Sequence, residues 1–271
     1  MEPRIQVDLS GVQETLLGNL GRRAAAARIG ALDDPLAIEL VDRLDYDFAE
    51  AARGVRLHAA RVATFDVAVR RFLGLHPAGT VVALGEGLET QFWRVDNGQV
   101  RWLTVDLPET VALRHRLLPD GSRRSSHAGS ALDLTWIDAL EPANAILVTA
   151  QGLLTYFQRE QVHALIGGIA ERLPGSLLVF DAVPEVMLNL IRRASGRERD
   201  LAVELWAWLF NPAERAAIGA IPGVEELRDL TPPLTHNPAT LGLAAISRLP
   251  TRLRYSFPVI AVLEASFRTA G

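Results

Sequence analysis

The stretch Val81-Val82-Ala83-Leu84-Gly85-Glu86-Gly87-Leu88-Glu89-Thr90 decides the fold that the sequence predicts. Together with Thr80, its first four residues form an apolar run rich in β-branched side chains, which is typical of a parallel strand buried on both faces. The two glycines that follow let the backbone turn sharply and approach a ligand closely. The stretch therefore predicts a strand followed by a tight turn that can hold a nucleoside.

An acidic residue stands at the end of the next predicted strand, which covers residues 100–105. Asp106 follows Gly85 at the spacing of roughly 20 residues at which a carboxylate accepts hydrogen bonds from ribose hydroxyls. Strand, turn and acid together favour a nucleoside site. The structural alternative is a tight strand–helix turn in which Asp106 only caps the helix that begins near Pro108.

The side chains of the turn discriminate between two nucleoside cofactors. A dinucleotide fingerprint needs a third glycine, but Thr90 occupies that position. Glu86 and Glu89 would oppose a pyrophosphate, whereas S-adenosylmethionine has no phosphate and carries a cationic sulfonium. The acidic turn therefore favours S-adenosylmethionine. A nicotinamide-dependent oxidoreductase is the alternative, and it predicts tight binding of NAD.

Outward from this stretch, helical and strand-like patterns alternate along the chain. Further strands are predicted near residues 125–128, 145–149, 177–180 and 258–267, with an amphipathic helix over 159–172. This alternation is typical of one α/β domain with helices on both faces of a parallel sheet. The predicted parts of the single domain 1–271 are a helical N-terminal lid (1–75), a cofactor-binding core (80–182), a helical insert with the substrate side (185–257) and a final strand (258–271).

Composition narrows the possible functions of the 271-residue chain. It has no cysteine, which excludes disulfides and thiolate metal sites, and its net charge of −4 argues against nucleic acid as a partner. The histidines are scattered without metal-binding spacing, so no metal site is predicted. No apolar run approaches the ~18 residues of a membrane span. We expect a cytoplasmic monomer or homodimer that binds a small-molecule acceptor, without membrane or nucleic-acid partners.

Several segments resemble the leucine carboxyl methyltransferase superfamily, especially its bacterial branch of polyketide-tailoring O-methyltransferases of the tetracenomycin type. The resemblance covers most of residues 11–185 in the right order and fades after that. It implies a Rossmann-like class I methyltransferase with a mostly parallel seven-stranded sheet. The matching segments are residues 14–17, 34–35, 45–48, 61–66, 84–90, 102–108, 130–136 and 150–154.

The resemblance implies roles for individual residues around S-adenosylmethionine. Arg61 matches the arginine that pairs with the methionine carboxylate of the cofactor, although without this match it would be interpreted as a surface arginine. Gly85 and Gly87 match the turn under the cofactor. Asp106 matches the ligand of the ribose.

The same resemblance implies roles for three further residues. Asp133 and Leu134 match the pair that holds adenine, whereas Asp133 taken alone would be interpreted as a turn residue or helix cap. Gln151 replaces the glutamate that the family usually has in an Ala-Glu-Gly triplet. Glutamine keeps hydrogen-bonding capacity but loses the charge near the methionine end of the cofactor.

The resulting prediction is an S-adenosylmethionine-dependent O-methyltransferase for a small acceptor, a carboxylate or phenol of a polyketide-like natural product. No catalytic base stands out, which favours a carboxylate because it is ionised at neutral pH. The alternative is a member that binds cofactor without methylating, with Gln151 as its mark. The aromatic residues either line an acceptor pocket or pack the insert onto the core; they are Tyr156, Phe157, Trp206, Trp208 and Phe210.

Overall fold

Nine strands occur in the computed structural model, which describes residues 4–7, 14–52, 54–118, 121–141, 145–193, 204–234 and 239–269. The strands are β1 (Ile5–Gln6), β2 (Leu44–Asp45), β3 (Thr80–Leu84), β4 (Arg101–Asp106), β5 (Arg124–Ala128), β6 (Ile146–Ala150), β7 (Leu177–Ala182), β8 (Val224–Asp229) and β9 (Ala261–Phe267). Seven of them form the main sheet in the order β5-β4-β3-β6-β7-β9-β8. The first five of that order are parallel, and β9 runs antiparallel to both neighbours. The predicted mostly parallel seven-stranded sheet is confirmed.

Strand β3 lies at the centre of this arrangement. All five of its residues are buried, and it pairs in parallel with β4 on one side and β6 on the other. The chain therefore leaves β3 for one half of the sheet and later returns on the other half. Ligands of doubly wound sheets bind in the crevice that this reversal opens at the carboxyl ends of the strands. Gly85, Asp106 and Gln151 directly follow or end three strands at this edge.

Helices pack on both faces of the sheet, and three of them precede strand β3 in the chain. They are α1 (Glu14–Arg28), α2 (Pro35–Arg43), α3 (Val55–Leu75), α4 (Gln91–Val95), α5 (Pro108–Leu117), α6 (Arg159–Arg172), α7 (Glu185–Ile191), α8 (Pro212–Gly219), α9 (Ala239–Ser247) and α10 (Thr251–Arg254). Helix α6 begins and ends at the predicted residues. Asp34 caps α2 by accepting a hydrogen bond from the Ala37 N–H at 3.1 Å, and Pro35 stands in the first turn.

Alternate residues of β3 enter two separate apolar cores. Val82 packs in one core with α6, and Val81 packs in the other with α3. The alternation follows from the two-residue period of a strand and places a helical layer on each face. Trp208 and Phe210 are buried in the first core, so these two aromatic residues pack the C-terminal region onto the sheet.

The C-terminal third departs from the predicted pattern in one element. Residues 185–257 were predicted to be a helical insert with the substrate side; α7, α8, α9 and α10 lie within them, and residues 194–203 and 235–238 lie outside the described ranges. Strand β8 was not predicted, because most of its side chains are polar. It is an edge strand with one neighbour, so it needs little apolar surface on its outer side.

Candidate active site

The glycine turn after β3 is built around the Asp106 carboxylate. Gly85 and Gly87 both have φ of +57°, a left-handed conformation that glycine adopts without a steric penalty. The Gly87 N–H donates to Asp106 Oδ2 at 2.7 Å, and the Leu107 N–H donates to Oδ1 at 2.8 Å. Burial raises the pKa of Asp106, although these two N–H donors act in the opposite direction. The turn and the acid predicted from the sequence are therefore adjacent.

A cavity of about 270 Å³ opens beside this turn. Arg61, Gly85, Asp106 and Gln151 lie in its wall, so the structure brings together four of the seven residues predicted to bind the cofactor. Gly87 belongs to the same turn and holds Asp106. A Cβ atom on Gly87 would lie 2.4 Å from Leu16 Cδ2 of α1, so the missing side chain also lets the N-terminal helix pack onto the turn.

The other two predicted residues lie beside this wall. Asp133 is exposed and accepts hydrogen bonds from the Thr135 N–H at 3.0 Å and from Thr135 Oγ1 at 2.8 Å, which lower its pKa. Leu134 has φ of +59°, and its side chain points toward Gly168 of α6. The nearby wall of the cavity consists of Gly129, Ser130 and Ala131. An adenine-binding role for Asp133 and Leu134 stays a prediction.

The two glutamates of the turn are compensated by buried arginines. Glu86 pairs with Arg114 at 2.9 Å. Glu89 pairs with Arg23 at 3.0 Å and with Arg94 at 2.8 Å. Burial alone would raise the pKa of Glu89, but the two arginines outweigh burial and lower it to about 2. The arginines therefore neutralise the excess negative charge that the sequence of the turn predicts.

Gln151 at the end of β6 carries an unpaired acceptor. Its Nε2 donates to Glu89 Oε2 at 3.4 Å. Its Oε1 is buried and has no hydrogen-bond partner among the described residues. A buried acceptor without a donor costs about 1–3 kcal/mol. An ammonium group in the cavity would supply that donor.

Arg61 on α3 lies between the smaller cavity and a larger one. It forms an ion pair with Asp181 at the end of β7, and its side chain is only 10% exposed. Asp181 also accepts a hydrogen bond from the Gly152 N–H at 2.7 Å. The arginine is thus held at the carboxyl edge of the sheet. This position excludes the surface-arginine interpretation.

The larger cavity has a volume of about 550 Å³. It shares with the smaller cavity the wall residues Thr15, Asn19, Arg61, Gly152 and Tyr156. Most of its remaining wall is apolar or aromatic, and it includes Phe48, Leu57, Trp206, Leu243, Tyr255 and Ile260. Of the predicted aromatic residues, Tyr156 and Trp206 line this cavity and Phe157 lines the smaller one.

Sequence reasoning missed several residues of the site. Asp181 had a visible signal, because it follows a predicted strand. Arg23 and Arg114 had none, since they lie on helices whose rotation about their axes depends on tertiary packing. In the described ranges, no cluster of ionisable side chains is arranged to hold a metal ion. The helices described also include none long and apolar enough to cross a membrane.

Two solved structures that share this fold are methyltransferases. The plantazolicin methyltransferase BamL, in complex with a triazolic desmethylPZN analog and SAH, matches with a TM-score of 0.57 at 10% identity, over 96% of this chain and all of that one. A geranyl diphosphate methyltransferase in complex with GPP and sinefungin matches with a TM-score of 0.51 at 17% identity, over 95% of this chain and 99% of that one. These likenesses show the fold, which is that of a Rossmann-like methyltransferase.

Within this class, the chain belongs to the leucine carboxyl methyltransferase family, whose sequence model matches residues 17–170. The tetracenomycin polyketide synthesis O-methyltransferase TcmP of Streptomyces glaucescens is 33% identical over 183 residues, which cover 65% of this chain and 68% of TcmP. The tRNA wybutosine-synthesizing protein 4 of Rattus norvegicus is 34% identical over 86 residues, which cover 29% of this chain and 12% of that protein. The resemblance stated from the sequence is confirmed.

Proposed function

We propose that the smaller cavity binds S-adenosylmethionine and that the larger cavity holds a small organic acceptor whose oxygen is methylated. The observation that carries this proposal is the junction of the two cavities at Arg61, Gly152 and Tyr156. Methyl transfer needs the acceptor and the methyl donor in line and in contact, and adjoining cavities can provide this alignment. The similarity to TcmP supports an acceptor related to polyketides.

Three side chains of the smaller cavity match the polar groups of this cofactor. The Asp106 carboxylate can accept hydrogen bonds from ribose hydroxyls. The Arg61 guanidinium can meet a carboxylate through two parallel N–H donors. Gln151 Oε1 offers an acceptor to an ammonium group, so the missing glutamate charge does not leave the site without a partner. We place adenine next to the wall of Gly129–Ala131, within reach of the neighbouring Asp133–Leu134 segment.

The cofactor brings an activated methyl group, so the chain mainly has to align the reactants and exclude water. Helices α1 and α3 form a cover over the site through Leu16, Asn19 and Arg61. Arg23 of α1 fixes this cover to the turn by donating to the Leu88 carbonyl at 2.5 Å.

The apolar walls of the larger cavity suit a planar, polyketide-like carboxylate or phenol. The proposal places this enzyme in the cytoplasm as a monomer or homodimer.

Asp106→Asn tests the cofactor site by isothermal titration calorimetry with S-adenosylhomocysteine. We expect roughly 10- to 100-fold weaker binding, because lost hydrogen bonds to a charged group are worth about 1.5–3 kcal/mol. Asp138→Asn is the matched control, since Asp138 is exposed and pairs with Arg172 on the surface. Equal affinities of the wild type and Asp106→Asn would show that the ribose does not bind at Asp106.

A further inference from the structure

Five buried side chains beside the smaller cavity form one connected group of charges. Arg94 pairs with Asp34, Asp66 and Glu89, each at 2.8 Å, and Arg23 pairs with Glu89 at 3.0 Å and with Asp34 at 3.5 Å. No more than 9% of any of these five side chains is exposed. The arginines that neutralise Glu89 are therefore shared with two further carboxylates.

This group contains one negative charge more than it contains positive charges, because three carboxylates meet two guanidinium groups. Burial raises the pKa of Glu89, but its two arginines outweigh burial and lower it to about 2. The neighbouring ion pairs do not change the balance, since Glu86 pairs with Arg114 and Asp181 pairs with Arg61. A buried charge without a partner is costly, and a cation bound next to the group would balance it.

Glu89 connects this negative charge to the smaller cavity. It is the carboxylate of the group that lies in the cavity wall, and its Oε2 accepts a hydrogen bond from Gln151 Nε2 at 3.4 Å. The next residue after Gln151 lies close to Arg61, because a Cβ atom on Gly152 would be 3.3 Å from Arg61 Nη1. The charge is therefore on the side of the cavity where we place the methionine part of the cofactor.

We propose that Glu89 supplies the negative charge that recognises the ammonium group of S-adenosylmethionine, so that the bound cofactor completes the buried group of charges. This inference rests on the proposed function and goes beyond it, because it assigns to Glu89 the charge that Gln151 lacks. A glutamine at position 151 agrees with this assignment. A second carboxylate there would lie beside an ionised one, and two carboxylates at such a distance do not both ionise freely.

The cofactor carries a second cation, the sulfonium, and a pair of ligands separates the two cations. S-adenosylhomocysteine has the ammonium group but no sulfonium. Its desamino analogue, in which hydrogen replaces the α-amino group, has neither cation but keeps the carboxylate and the adenosyl part. The ratio of their affinities, measured by isothermal titration calorimetry at pH 7, therefore reports the contribution of the ammonium group alone.

We expect the wild type to bind S-adenosylhomocysteine roughly 10- to 100-fold more tightly than the desamino analogue, as for one hydrogen bond to a charged group. Glu89→Gln should reduce this preference about tenfold, because the charged acceptor is lost. Glu86→Gln is the matched control and should keep the preference. Glu86 is a buried carboxylate of the same turn, but it accepts hydrogen bonds from Trp102 and Thr104 of β4, on the other side of β3 from Gln151.

Three results would overturn this inference. The first is equal affinity of the wild type for the two ligands, and the second is an unchanged preference in Glu89→Gln. The third is a Glu89→Gln variant that binds S-adenosylmethionine more weakly but S-adenosylhomocysteine normally, since the charge would then recognise the sulfonium. A wild type that binds none of these ligands would instead refute the cofactor site, and the inference with it.

Gln151→Glu decides the question if Glu89→Gln does not fold. A carboxyl group next to the ionised Glu89 should hold a proton in the free protein, and a bound ammonium group should displace it. Titrations at pH 6 in buffers of different ionisation enthalpy should show release of about one proton with S-adenosylhomocysteine and none with the desamino analogue. Binding of S-adenosylhomocysteine without proton release would show that the ammonium group does not lie beside Glu89.

Discussion

At the scale of single residues, Gln151 combines a cost to the free protein with the use that we propose for it in the cofactor complex. Its Oε1 is buried without a donor among the described residues. Its Nε2 has only a long contact of 3.4 Å to Glu89, whose carboxylate is already held by Arg23 and Arg94. Stability and binding should therefore respond to this side chain with opposite signs.

Gln151→Leu should raise the free energy of unfolding and weaken cofactor binding. Removal of the orphaned acceptor relieves a desolvation cost of about 1–3 kcal/mol, which chemical denaturation measures. The loss of an acceptor for the ligand ammonium should weaken S-adenosylhomocysteine binding about tenfold, which calorimetry measures. Gln161→Leu is the control, since Gln161 only caps α6 at its exposed start. Parallel losses of stability and affinity would contradict the interpretation of Oε1.

At the scale of elements, the sequence predicted those that carry their own local signals. Helix α6 has a clear period, α2 has Asp34 as its cap and Pro35 in its first turn, and β3 is a continuous apolar run. Edge strand β8 has no such signal. The same difference holds for the residues of the site. Asp106 could be predicted because it stands at the end of a strand, whereas the contacts of Arg114 depend on how α5 packs and leave no local pattern in the sequence.

Helix α1 contains two glycines, Gly18 and Gly21, that differ in how closely other side chains approach them. A Cβ atom on Gly21 would lie 2.7 Å from both Ala51 Cβ and Phe48 Cδ1, whereas a Cβ on Gly18 would meet only the flexible end of Arg22 at 3.6 Å. Gly21→Ala should lower the free energy of unfolding by about 1–3 kcal/mol through overpacking. Gly18→Ala should raise it by up to about 1 kcal/mol, because alanine favours the helix. Denaturation in urea measures both, and similar effects of the two substitutions would contradict the close approach.

At the scale of the whole molecule, a buried group of charges joins the N-terminal cover to the sheet. Arg94 contacts Asp34, Asp66 and Glu89, each at 2.8 Å, and Arg23 contacts Glu89 at 3.0 Å. These residues come from α1, the cap of α2, α3, the glycine turn and α4. They are widely separated in sequence, so no local pattern could predict the group. Breaking a buried pair costs about 3–5 kcal/mol. These ion pairs therefore hold helices α1 and α3 firmly against the glycine turn.

Glu89→Gln should reveal this group through the pH dependence of stability. The folded-state pKa of Glu89 is about 2, below its ordinary value of 4.5, so its stabilisation is complete above pH 4.5 and disappears as the pH falls toward 2. This shift corresponds to about 3 kcal/mol.

We expect the stability difference between wild type and Glu89→Gln, measured by urea denaturation with circular dichroism, to shrink by that amount between pH 5 and pH 2. Burial is the main cause of the raised pKa of Glu86 and is the same in both proteins, so this part cancels in the difference, and only the smaller part that the Glu89 charge causes is lost in the variant. Glu39→Gln is the control, because Glu39 and Arg43 form an exposed pair worth less than about 0.5 kcal/mol. A wild type and a Glu89→Gln variant that lose stability in parallel on acidification would show that Glu89 is not held as a buried anion.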